Sequence, residues 1–165
     1  MFLYVCVSVF QVVVLRGWFY KLTLDEMVCL ITLIVVMTFG VAEIYIFDCA
    51  VHKLVATFLI LVCVGVNKKN FSLILAISIG LGMSIVNSSL LSIGELAILA
   101  LGANVFSYPH RYKIAISTIL FAVVGQIYFV GMENQIIYNL IPIAFGATLF
   151  LCVPNKIIEK ISDRY

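Results

Sequence analysis

The sequence predicts an all-α fold, a polytopic transmembrane helix bundle of about seven spans, and three observations carry that prediction. The 165 residues are 64% hydrophobic and only 11% charged, whereas a water-soluble domain carries about 25% charged residues to cover its surface. The apolar residues form long continuous runs, suited to a bilayer of roughly 30 Å that about 20 helical residues cross. Continuity, rather than alternation with period two, favours helices over a barrel. The basic residues gather in every second connection between these runs, as they do when cytoplasmic loops hold the excess of Lys and Arg.

Taken in order, the apolar runs are 2–15, 27–47, 49–66, 70–87, 90–107, 113–131 and 135–153. The first has the length of a signal peptide. It lacks a basic residue before its apolar core and a small-residue cleavage site, so it reads as a retained span. Arg16 and Lys21 follow it, Lys68 and Lys69 follow the third run, Arg111 and Lys113 open the sixth, and Lys156, Lys160 and Arg164 follow the last. The intervening connections hold only Lys53, which leaves nine basic residues on one side and one on the other. The N-terminus is therefore expected outside and the C-terminus in the cytoplasm. Trp18, Phe19, Tyr20, Tyr108 and Tyr112 fall at the cytoplasmic connections, and Phe47 and Tyr128 near the outer ends, depths that amphipathic rings favour. Residues 1–153 read as a transmembrane helical domain. Residues 154–165, PNKIIEKISDRY, read as an amphipathic cytoplasmic tail, with Ile157, Ile158, Ile161 and Tyr165 on one side and the charges on the other.

The fourth run carries a stripe of small residues, Ser72, Ala76, Gly80, Ser84 and Ser88, in a setting of Ile, Leu, Met and Val. Residues four apart share a helix face. In lipid, where no hydrophobic force joins helices, such a face admits another backbone closely. Intramolecular packing is the commoner role for such a stripe, with self-association and a substrate groove as the alternatives.

Chemistry is sparse. His52 and His110 lie outside any H-E-x-x-H pattern, and Asp25, Asp48 and Asp163 sit at interfaces, so neither zinc nor paired-carboxylate catalysis is expected. Ser84 has no intramembrane histidine to serve as its base. The five cysteines, Cys6, Cys29, Cys49, Cys63 and Cys152, lie far apart, a spacing that points to free thiols rather than zinc or disulfides. No metal or cofactor is expected, and a net charge of +2 without a dense basic stretch points away from nucleic acid. Glu43, Glu95, Gln126 and Asn104 are the candidates for intramembrane polar contacts. A carboxylate at mid-bilayer costs about 2.5–3.5 kcal/mol on insertion scales. Glu43 and Glu95 fall toward outer ends, where interfacial water, an interhelical bond and a solute contact are each open to them. Asn87 lies near a span end, and Pro142 is expected to kink the last span.

Three stretches carry a family resemblance: LTLDEMVCLITLIVVMTFG, then LILAISIGLGMSIVNSSLLSIGELAILALGANVF, then IPIAFGATLFLCVPNKIIEKI. Over about residues 22–161 the chain resembles the membrane-spanning region of the stage II sporulation protein E family. Phe150, Leu151, Pro154, Lys156, Glu159 and Lys160 match its closing pattern. Members of that family carry further spans and a cytoplasmic 2C-type protein phosphatase domain. The 165 residues hold no counterpart of that domain. What the resemblance implies is an anchor in a bacterial cell membrane that localises or oligomerises a division-septum phosphatase, and it leaves open that this chain is a fragment or truncated product of one.

The leading expectation is a non-enzymatic membrane module, partnered by the lipid bilayer and by itself or a cytoplasmic effector. The rival is a small membrane transport protein, such as the substrate-binding subunit of a vitamin transporter, using Glu95, Gln126 and Asn104. A division scaffold without a ligand is the third.

Overall fold

A computed structural model of the chain describes residues 24–41, 44–46, 49–66, 69–87, 89–106, 110–130 and 135–154. These residues are helical apart from one minimal antiparallel pairing. The helices are α1 (Leu24–Val41), α2 (Val51–Gly65), α3 (Lys69–Asn87), α4 (Leu91–Asn104), α5 (Arg111–Val130) and α6 (Gln135–Cys152). Strands β1 (Tyr45–Ile46) and β2 (Cys49–Ala50) pair between α1 and α2, with Tyr45 opposite Ala50 and Ile46 opposite Cys49.

That pairing corrects the expected second span, which was to run helically from 27 to 47. The helix instead ends at Val41. Gly40 weakens its last turn, and Ile44, Tyr45 and Ile46 are β-branched or aromatic residues that suit a pleated backbone. The Ile44 N–H closes a turn on the Val41 carbonyl at 3.1 Å, and the Ile44 carbonyl accepts from the Val51 N–H at 3.3 Å. Hydropathy alone does not separate such a strand from a helix end.

Helix α2 is the centre of the fold, touching α1, α3, α4, α5 and α6. It buries Ala56, Thr57, Ile60, Leu61 and Val64 against Leu75 and Ile79 of α3, Leu99 of α4, Ile114 of α5 and Phe150 of α6. Contacts between helix ends fix the directions. Early α3 meets late α4, and early α5 meets late α6, so each of these pairs is antiparallel. Early α2 meets early α4 and early α6, so those three run parallel. Two threonine hydroxyls in the apolar interior turn back on their own helices, Thr57 Oγ1 donating to the Lys53 carbonyl at 2.7 Å and Thr118 Oγ1 to that of Ile114 at 2.7 Å, whereas Ser117 Oγ of α5 donates across to the Gly102 carbonyl of α4 at 2.8 Å. The two threonine bonds satisfy a polar group without a partner helix.

One described helix is long and apolar enough to cross a membrane on its own, Arg111–Phe129. Helices α2 and α4 have 15 and 14 residues, about 22 and 21 Å at 1.5 Å per residue. The run 2–15 and the tail after Pro154 lie outside the described residues.

Candidate functional site

Four helices bring a polar side chain to the same end of the bundle, each within about a turn of a helix terminus. Lys53 is the third residue of α2, Glu95 the fifth of α4 and Asn139 the fifth of α6, while Gln126 is the fifth residue back from the end of α5. Because α2, α4 and α6 run parallel and α5 runs against them, these positions converge. Lys53 Nζ lies 2.9 Å from Glu95 Oε2, with the two side chains 18% and 13% exposed. The same ammonium donates to Asn139 Oδ1 at 3.1 Å, and Asn139 Nδ2 donates to Gln126 Oε1 at 3.2 Å. Gln126 is fully buried. His52, also buried, precedes Lys53 in the first turn of α2.

The chain of contacts is Glu95–Lys53–Asn139–Gln126, one link per helix, with no net charge. An ion pair held this far from water gains strength from the low local dielectric, and the amide satisfies part of the remaining donor capacity of the ammonium. Chemically the arrangement can hold four helices in register or exchange its internal partners for those of a polar solute. No nucleophile sits in it beside a general base, and among the described residues no three His, Cys, Asp or Glu side chains come together.

The other candidate residues fall elsewhere. Asn104 lies at the opposite end, where its Nδ2 donates to Ser72 Oγ at 3.0 Å and ties late α4 to early α3. Ser72, Ala76, Gly80 and Ser84 are buried within the chain. A Cβ at Gly80 would stand 2.8 Å from the Ile93 Cα, so this glycine sets how closely α3 and α4 approach. Ser88 and Glu43 lie outside the described residues. The sequence reading missed Lys53 and Asn139. Lys53 did leave a signal, being the sole basic residue on the side otherwise bare of Lys and Arg. Asn139 left none.

At the Asn104 end, Arg111 is buried at the start of α5 and reaches the C-terminus of α6. Its Nη1 donates to the Val153 carbonyl at 2.8 Å, Nη2 donates to the Phe150 carbonyl, and the guanidinium carbon lies 4.7 Å from the Phe150 ring centroid. Carbonyls at a helix C-terminus lack intrahelical donors and carry partial negative charge, and Arg111 answers both. It is a helix cap in addition to being a cation near a chain connection. Between α2 and α6 lies a shallow cleft of about 330 Å³, walled by Leu54, Val55, Phe58 and Leu59 on one side and Leu149, Cys152 and Val153 on the other.

No protein-family model, no curated protein and no solved structure matches this chain.

Proposed function

We propose that the chain is a non-enzymatic, multi-pass module of a bacterial cell membrane that anchors, localises or oligomerises a cytoplasmic effector. Seven spans, with the N-terminus outside and the C-terminus cytoplasmic, complete the reading. The observation that carries it is the distribution of side chains. Ile74, Ile77, Leu81 and Ile85 of α3, and Ile116, Leu120, Val124 and Ile127 of α5, are exposed along continuous outer faces, while Gln126, Thr118, Ser117 and Ser72 are buried. Water disfavours so much contiguous exposed hydrocarbon; lipid tails match it. The small-residue stripe supports packing within the chain, and the polar cluster acts as an internal staple. The resemblance to the membrane region of a sporulation phosphatase supports the anchor role and names the class of effector. Expression of the full chain with a fluorescent protein at its C-terminus tests the reading. The fusion is expected to fluoresce, to stay with the membrane pellet after alkaline carbonate extraction, and to gather at division septa. Release by carbonate would overturn the membrane reading, and uniform distribution around the envelope would overturn the septal anchor.

A second reading, a small solute-binding membrane protein, is favoured by one observation, the convergence of Lys53, Glu95, Asn139 and Gln126 on one end of the bundle. Polar residues inside membrane segments commonly mark solute or ion pathways. Thermal unfolding of the purified chain with a panel of vitamins separates the two. A bound ligand raises the midpoint by mass action, and an anchor shows no such rise.

A further inference from the structure

We infer that the outer surface of the bundle fits a thin hydrocarbon layer, about 24 Å between its polar edges, and that the protein therefore gathers phospholipids with short acyl chains around it. The inference rests on the membrane reading given above and goes beyond it. Along the exposed side of α5, Tyr112, Ile116, Leu120, Val124 and Tyr128 follow one another at intervals of four. They form one stripe, aliphatic in the middle and closed by a tyrosine at each end. The two tyrosines are sixteen residues apart, about 24 Å along a helix axis, and tilt only shortens the depth they span. Tyrosine favours the headgroup level, where its ring meets apolar tails and its hydroxyl meets water. The other described tyrosines agree. Tyr138 precedes Asn139, whose Nδ2 donates to Gln126 Oε1 at 3.2 Å, so it stands level with Tyr128. Tyr45 lies opposite Ala50, the residue before α2, at the same end. Both are exposed. Helix lengths and charge point the same way. Helices α2 and α4, at 15 and 14 residues, fall short of the about 20 that cross a core of roughly 30 Å. Lys113, exposed beside Tyr112, lies thirteen residues from Gln126, the level of the Lys53–Glu95 pair. These charged levels are about 20 Å apart, so a core of full thickness would draw one of them into hydrocarbon, where charge is costly. A bilayer meets a short apolar band by thinning, and short acyl chains thin it with least strain.

Fluorescence quenching in vesicles tests this on the full chain. Trp18, the sole tryptophan, is replaced by Trp18→Phe, and Leu120→Trp puts a reporter midway along the α5 stripe, at an exposed position. The vesicles mix a phosphatidylcholine carrying brominated acyl chains with an unbrominated competitor, either dimyristoleoyl or dioleoyl phosphatidylcholine. The competitor that the protein prefers relieves more of the quenching. Dimyristoleoyl phosphatidylcholine is expected to compete about twofold better than the longer dioleoyl lipid, the scale of effect that mismatch produces. Tyr112→Leu with Tyr128→Leu, at exposed positions outside the core, is expected to bring the ratio toward one. A second reporter, Leu81→Trp on the exposed face of α3, is expected to show the same preference as Leu120→Trp. Equal competition, or preference for the dioleoyl lipid, would overturn the proposal and leave the membrane reading standing. A preference unmoved by the tyrosine substitutions would overturn the edges assigned to the band. Quenching at Leu81→Trp without quenching at Leu120→Trp would also overturn the proposal, because protein would then cover the α5 stripe. If neither reporter is quenched, the chain is not in the bilayer, and the membrane reading fails with the proposal.

Discussion

Gly80 and Gly40 are the same residue type in two different situations. A methyl group at Gly80 would press on the backbone of Ile93, and one at Gly40 would meet nothing within 4 Å. Overpacking costs typically 1–3 kcal/mol, against a helix-propensity gain of about 1 kcal/mol for Ala over Gly. Gly80→Ala is therefore expected to lower stability by up to about 2 kcal/mol, and Gly40→Ala to raise it by a few tenths up to about 1 kcal/mol. Denaturation of the two variants in mild detergent measures both, and a loss at Gly40 as large as that at Gly80 would contradict the packing described. The ion pair invites a double-mutant cycle. Glu95→Gln or Lys53→Met alone leaves a poorly solvated charge, at a cost of about 1–3 kcal/mol, whereas the Lys53→Met, Glu95→Gln double variant recovers a good part of that loss. Strictly additive losses would mean that the two side chains do not act together. At this scale the sequence was only partly legible. Glu95 and Gln126 stood out as polar residues in apolar runs. That Lys53 and Asn139 meet them depends on which helices lie side by side, and hydropathy carries no such information.

At the scale of elements, helix positions were largely legible, because an apolar run bounded by charge or by Gly, Asn and Pro fixes a helix within a few residues. The runs 49–66, 70–87, 90–107, 113–131 and 135–153 overlap α2 to α6 closely. The exception is the end of α1, where β-branched residues continue the apolar run after the helix has stopped. Helix α6 continues through Pro142, which lies eight residues into it. The termini carry their own chemistry. Ser89 Oγ accepts from the Leu91 N–H at 3.3 Å at the start of α4, and Arg111 closes the end of α6. A lysine cannot reproduce the forked donation or the stacking on Phe150. Arg111→Lys is accordingly expected to cost about 1–2 kcal/mol and to speed amide exchange at Phe150–Val153 by about tenfold or more, with exchange at the α2 core unchanged. Uniform acceleration across the bundle would point to a global role for Arg111 instead of a cap.

At the scale of the whole molecule, the two ends of the bundle are unlike. One gathers the Lys53–Glu95 cluster, whose charges cancel; the other gathers Arg111 and Lys113 at the start of α5. Charge alternation along the chain was readable before any contact was known, because antiparallel neighbours return each second connection to the same end. Which solvent surrounds the exposed Ile, Leu and Val is the claim on which the rest of the functional account depends. The most direct measurement is labelling of single cysteines in intact cells with a membrane-impermeant maleimide, in a background where the five native cysteines are replaced by serine or alanine. Ser89→Cys marks the α3–α4 connection and His110→Cys the α4–α5 connection, at opposite ends of the bundle. The account predicts a membrane-bound product in which Ser89→Cys is labelled in intact cells and His110→Cys only after permeabilisation. A soluble product, or labelling of both positions only after permeabilisation, would contradict a bundle that spans the membrane. The reverse pattern would contradict its orientation.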